Sequence, residues 1–206
     1  MSEQQSSQLL PGLFERLNEE VRVNVLHIGP ALPETVEFFS GYRCKLFFVD
    51  LFAELPLAFE EGDELTVQQR MQDILDFDPG TNFDLCLFWD VFNYLDEECI
   101  KAFMACLRPM LTPGVAAHAF GVHNTRAAQK AQRFGILSRS ELNLRPRPAP
   151  LPGYAPLPQA RLQSLLKGLT VQRSVLLAES RLELLFRGAG LGESLVSPRG
   201  GARSGS

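Results

Sequence analysis

The sequence predicts an α/β domain: a doubly wound, mostly parallel sheet closed by an antiparallel C-terminal β-hairpin, with helices on both faces. Three observations predict it. Strand-like apolar runs alternate with amphipathic stretches through most of the chain, which calls for a parallel sheet joined by crossovers. Two of the runs, 44–49 and 83–89, are almost continuously apolar, as strands covered on both faces are. Near the C-terminus two β-like runs, 170–177 and 181–186, are separated only by Ala178-Glu179-Ser180, too short for a crossover, so they pair as a hairpin.

Element by element, the chain opens with a short amphipathic helix over 13–20, where Leu13, Phe14 and Leu17 share a face. The first strand, 23–28, ends at Gly29. A helix over 34–40 follows, with Pro33 in its first turn, where a missing N–H costs nothing. The second strand, 44–49, carries Asp50 at its carboxyl end. After an acidic loop (Glu60, Glu61, Asp63, Glu64) comes a helix over 67–74. The strand 83–89 then runs into Asp90. A helix over 97–110 is capped by Asp96, striped by Ile100, Phe103, Met104 and Leu107, and stopped by Pro113-Gly114. The next strand is 115–120.

The alternation then breaks. Asn124 can cap a helix over 125–134, with Gly135 at its C-terminal cap, and Ser138 with Glu141 forms a capping box for a second short element. Six prolines between Pro146 and Pro158 make that stretch a loop. A helix over 159–167 leads to the closing hairpin, and beyond it Gly, Ser and Arg dominate a disordered tail. The expected organisation is a helical extension over 1–20, a main domain over 21–187 with a lid-like insertion over 122–158, and a tail over 188–206.

Bulk properties restrict the function classes. At 206 residues and 45% apolar composition the chain can bury one full core. No secretory signal or membrane-length apolar run is visible, and the four cysteines form no CxxC pair. The expectation is a cytoplasmic protein with free buried thiols, no metal and no membrane contact. Charge divides unevenly. Residues 1–100 hold 20 acidic and 5 basic side chains, whereas 101–206 hold 4 acidic and 15 basic ones. Interleaved in one sheet, these cancel locally as surface pairs; otherwise the basic segment 126–147 faces an anionic substrate or partner. Stacking aromatics are scarce there, so nucleic acid is not the expected partner; a small molecule or a protein is.

Four stretches carry a family resemblance. Val25-Leu26-His27-Ile28-Gly29, Phe48-Val49-Asp50, the run from Phe83 to Phe88 continued by Asp90-Val91-Phe92-Asn93-Tyr94-Leu95, and the turn from Leu107 to Gly114 occur in order from Val23 to Arg187. Together they resemble class I S-adenosylmethionine-dependent methyltransferases, a Rossmann-like fold. That resemblance implies S-adenosylmethionine as cofactor and methyl transfer to a small acceptor as activity; the basic residues of 122–158 suggest an anionic group on that acceptor.

The same resemblance distributes roles. Gly29 would let the cofactor approach the backbone. Asp50, 21 residues further on, would accept both ribose hydroxyls. Asp73 resembles the acid that contacts the adenine amino group, and Asp90 stands at a third strand end facing the same crevice. Asn93, Tyr94, Arg126 and Arg133 are candidates to hold the substrate. His123, in a loop at a strand end, and His118, on the strand 115–120, could each serve as general base, and Asp90 is a further catalytic candidate; for His118 a place in the core is the stronger expectation.

The first turn departs from the family. Gly29-Pro30-Ala31-Leu32-Pro33-Glu34 retains one glycine, and both prolines lack an amide donor. His27 stands where an acid is usual. A second reading follows, of a catalytically inactive methyltransferase-like protein with a binding or regulatory role. An enzyme needs an open crevice beside Gly29 and Asp50, whereas an inactive relative can fill it with Leu32 and aromatics. A dinucleotide site and a P-loop are both excluded, since neither glycine pattern is present.

Overall fold

The computed structural model describes residues 2–57 and 65–189. The acidic residues Glu60 to Glu64 and residues 190–206 lie outside the described residues, and with the latter most of the tail expected over 188–206; its first two residues are ordered, Gly188 closing the last strand and Ala189 N donating to Gly168 O at 2.9 Å. In chain order the elements are β1 (Glu3–Ser6), α1 (Leu10–Leu13), β2 (Val23–Ile28), α2 (Pro33–Ser40), β3 (Cys44–Val49), α3 (Val67–Ile74), β4 (Phe83–Trp89), α4 (Glu97–Leu107), β5 (Leu111–Val122), β6 (Gln132–Ser138), β7 (Glu141–Pro146), α5 (Gln159–Leu165), β8 (Leu169–Leu176) and β9 (Arg181–Gly188).

Six strands form the main sheet in the order β3-β2-β4-β5-β9-β8. The first four run parallel, β9 runs antiparallel to β5, and β8, antiparallel to β9, points the same way as the first four. This is the Rossmann-like, mostly parallel architecture closed by an antiparallel hairpin. The order reverses at β2, which has β3 on one side and β4 on the other. A crevice at the carboxyl ends of strands belongs at such a reversal.

The apolar strands are buried on both sides because each face has its own cover. Leu26, Ile28, Cys86 and Phe88 face α3, α4 and α5. Val23, Val25, Leu85, Leu87 and Trp89 alternate with them and face α1, α2 and a second, three-stranded sheet. Asp96 caps α4 as expected, accepting from Cys99 N at 2.8 Å. Thr66 and Gln69 add a capping box at the start of α3. The cysteines are all free thiols.

The second sheet corrects the expectations for the N-terminal stretch and for residues 125–146. The helix expected over 13–20 lies earlier, at Leu10–Leu13, and is preceded by strand β1. No helix spans 125–134. That region runs through turns into β6, and β6 and β7 form a hairpin that β1 extends in the order β1-β7-β6. Ser138 and Glu141 are cross-strand partners in that hairpin, not a helix capping box. The reason is alternation: Phe134 and Ile136 on β6, with Leu142 and Leu144 on β7, bury one face of the hairpin against the main sheet. That burial outweighs the local capping signals.

α2 and the small sheet are fastened together. Thr35 Oγ1 accepts from Ile136 N at 3.1 Å, and the Glu34 carboxylate accepts from Asn143 Nδ2 and from Arg145 Nε and Nη2, each at 2.8 Å. This fixes the small sheet over the carboxyl end of β2.

Candidate functional site

The order reversal brings three strand ends together: Gly29 after β2, Asp50 after β3 and Asp90 after β4. Gly29 has φ 129°, a conformation that excludes side chains, and its N–H donates to Val49 O at 2.7 Å. Trp89, the last residue of β4, also has a positive φ of 53°. Such a residue costs on the order of 1–3 kcal/mol and persists only where its surroundings over-determine it. Here the indole Nε1 donates to His27 Nε2 at 3.0 Å, and the ring stacks on Phe134 at 5.2 Å and 10°.

Side chains fill the space between these strand ends. His27, Gly29, Leu32, Phe52, Trp89, Arg133, Phe134 and Arg147 converge there and leave no volume large enough for a water molecule. Leu32 and Phe134 are buried. The Arg147 guanidinium lies 4.0 Å from the Phe52 ring centre, held by Nε donation to Gln132 O at 3.1 Å. Asp50 and Asp90 both act on its charge.

The polar atoms around this plug are poorly matched to one another. Asp50 Oδ1, Asp90 Oδ1, His27 Nδ1 and Arg133 Nε are all buried without a hydrogen-bond partner. Burial pushes the Asp90 carboxyl up to about 7, against the pull of Arg147 and Arg181. Burial likewise lowers His27 to about 4, so its imidazole is neutral at physiological pH. Burial raises Tyr94 above the ordinary phenol range, with the Asp90 charge adding to it.

The remaining sequence candidates fall in different places. Asn93 is buried; its Nδ2 donates to Phe120 O at 3.3 Å and its carbonyl accepts from Ala155 N at 2.9 Å, which pins the proline-rich segment. Tyr94 packs against Phe52 and Tyr154. Arg133 lines the crevice. His123 and Arg126 are solvent-exposed, and so is Asp73 on α3, which does not line the crevice. His118 is fully buried, with Nε2 2.9 Å from Glu183 Oε1. Glu183 also accepts from the Ser7 hydroxyl and from Gln8 N, and its carboxyl is held below the ordinary range by the His118 and Ser7 bonds despite burial.

Two residues central to this arrangement were not singled out from the sequence. Arg147 appears there only as one of several basic residues, and its insertion depends on β7 lying beside α2. Arg181 had a visible signal: with Glu183 it puts charge at alternate positions of an otherwise apolar strand.

Among the described residues no group of three or more His, Cys, Asp or Glu side chains gathers as a metal site, and no helix is long and apolar enough to cross a membrane. No family model and no curated protein matches the chain. Solved structures that resemble it include 1,6-didemethyltoxoflavin-N1-methyltransferase of Burkholderia thailandensis, with bound 1,6-didemethyltoxoflavin and S-adenosylhomocysteine. That pair shares 15% identity over 88% of this chain and 77% of the other, with a TM-score of 0.49. An S-adenosylmethionine-dependent methyltransferase of Clostridium acetobutylicum shares 13% identity over 81% of this chain and 84% of its own, with a TM-score of 0.47. The glycopeptide N-methyltransferase MtfA shares 16% identity over 81% and 89%, with a TM-score of 0.44.

Proposed function

We propose that this chain binds S-adenosylmethionine at the carboxyl ends of β2, β3 and β4 and transfers its methyl group to a small acceptor, opening the crevice by withdrawing Arg147. The observation that carries this reading is the set of unpartnered polar atoms around the plug: Asp50 Oδ1, Asp90 Oδ1, His27 Nδ1 and Arg133 Nε. Each such atom costs about 1–3 kcal/mol. A crevice meant to stay shut gains nothing by keeping four of them, whereas a nucleoside carries hydroxyls and ring nitrogens that can pair with them. The sheet order and closing hairpin are those that the methyltransferase resemblance implies.

The residues fit the cofactor in polarity and require movement for its volume. Asp50 would accept from the ribose hydroxyls, and Gly29, with no side chain, would let the methionine portion pass close to the backbone. The Phe52 face now covered by the flat guanidinium of Arg147 would receive a flat base once Arg147 leaves. The bound sulfonium supplies an already activated methyl group, so the chain's own contribution is orientation and exclusion of water. Asp90, Asn93, Tyr94 and Arg133 would border the acceptor. His123 would have to swing inward from its exposed loop to take a proton, which makes Asp90, near pH 7 in proton affinity, the better-placed base.

The filled crevice supports a second reading, in which the fold is a catalytically inactive binding or regulatory protein and Arg147 is a permanent occupant. Pro30 and Pro33, which offer no amides, favour it too. Calorimetric titration of S-adenosylmethionine and S-adenosylhomocysteine, with Asp50→Ala as control, separates the two. The enzyme reading expects saturable binding that the substitution weakens at least tenfold, ~1.4 kcal/mol. Well-folded protein that binds neither compound would leave the inactive reading standing.

A further inference from the structure

A second cavity, of about 140 Å³, opens where β1, β6 and β7 meet the turn between β8 and β9. Gln5, Gln132 and Leu144 line it from the small sheet, and Leu177, Ala178 and Arg181 line it from the hairpin. It shares no lining residue with the crevice beside Gly29.

Its distinguishing feature is the buried guanidinium of Arg181. Nε donates to Gln129 Oε1 at 3.2 Å, Nη1 to Gln5 Oε1 at 3.3 Å and Nη2 to Gln132 Oε1 at 3.0 Å. All three acceptors are neutral amides. Arg181 takes part in none of the ion pairs among the described residues, and its guanidinium carbon lies 5.5 Å from the centre of the Phe120 ring. Of the other charges at the cavity, Lys130 Nζ lies 3.6 Å from Glu179 Oε1, and Glu3 stands exposed at the rim. Gln5 Nε2, on the cavity wall, is a buried donor without a partner. A structural arginine taken out of water normally hydrogen-bonds a carboxylate; this one hydrogen-bonds three amides, feels Asp90 only at longer range, and keeps a cavity and spare donors beside it.

We propose that this cavity is a binding site for a small carboxylate, held by the unused N–H groups of Arg181 with Gln5 beside it. A guanidinium has five N–H donors, and three are engaged here, so what remains matches the two oxygens of a carboxylate. Arg181 and Lys130 face Glu3 and Glu179 across the cavity, so a ligand of low charge fits better than a highly charged one. A dianion such as phosphate would leave an excess charge facing Glu3 and Glu179, which also border the cavity. The inference does not depend on cofactor binding in the crevice.

Benzoate is the probe, titrated calorimetrically into the full chain at an ionic strength held constant with chloride. The expected result is saturable one-to-one binding that Arg181→Met weakens at least tenfold. Arg181 is buried, so Ala178→Trp carries the test if that variant fails to fold: position 178 is exposed, and an indole there would block the cavity without disturbing the core. It too should weaken benzoate at least tenfold. Three results would overturn the proposal: no saturable binding to folded wild-type protein, undiminished binding to folded Ala178→Trp, or inorganic phosphate binding more tightly than benzoate.

Discussion

Two charged clusters flank α2, and they differ in how completely their members are paired. At the first turn of the helix, the Glu34 carboxylate is saturated: Arg145 grips it through two nitrogens and Asn143 through a third, all at 2.8 Å. At the neighbouring strand ends the charges of Asp50, Asp90 and Arg133 all bear on Arg147, yet Asp50 and Asp90 each keep a buried oxygen without a partner. Bidentate, saturated pairs hold structure in place. Charges kept close but incompletely hydrogen-bonded are what a site for exchange of partners requires. The first cluster docks the small sheet, and the second is where the docked sheet inserts Arg147 and Phe134 into the crevice.

The largest expected effect separates docking from plugging. Phe134→Ala removes a buried ring stacked on both Trp89 and Phe120. Loss of about 3–5 kcal/mol in urea unfolding is expected, with a red shift in the emission of Trp89, the only tryptophan. Next is Glu34→Ala, which releases Arg145 and Asn143 and should cost about 1–3 kcal/mol. Its signature is early hydrogen exchange in β6 and β7, ahead of the main sheet. If the whole chain exchanged together instead, the clamp would not be a separate docking element.

The smallest effect is a pH dependence that only variants reveal. Asp90, raised to about 7 in the folded state from an ordinary 3.8, contributes stability that is full below its unfolded value and lost as pH rises through 7. His27, lowered to about 4 from 6.5, contributes stability that is full above 6.5 and lost as pH falls through 4. Between about pH 5 and 6.5 the two slopes oppose each other, each on the order of 1.4 kcal/mol per pH unit, so the wild-type protein should be nearly flat there. His27→Gln should make stability fall as pH rises across that window, and Asp90→Asn should make it climb. Parallel, flat profiles in both variants would show that neither group is desolvated as described.

The main sheet was legible in the sequence because its physics is local. β2, β3 and β4 are apolar at every position that must face a cover, and their ends are marked by Gly29, Asp50 and Asp90. The Asp96 cap and the short Ala178-Glu179-Ser180 link were legible for the same reason. The small sheet was not. Asn124 and the Ser138/Glu141 pair send helix-capping signals, and what overrules them is burial of Phe134, Ile136, Leu142 and Leu144 against a surface that exists only after the main sheet has formed. Arg147 was illegible as a crevice residue because its position follows from that docking. Leu32, by contrast, could be seen in advance as a residue too large for an open first turn.

Removing the plug tests the central claim most directly. S-adenosylhomocysteine is titrated into wild-type protein and into Arg147→Ala, a half-buried position whose loss should leave the fold intact. If Arg147 occupies a cofactor site, both proteins bind, and the variant binds at least tenfold more tightly, ~1.4 kcal/mol, because the ligand no longer displaces a guanidinium from Phe52, Asp50 and Asp90. Absence of binding in both folded proteins would contradict the account and leave the crevice as a permanently closed feature of the fold.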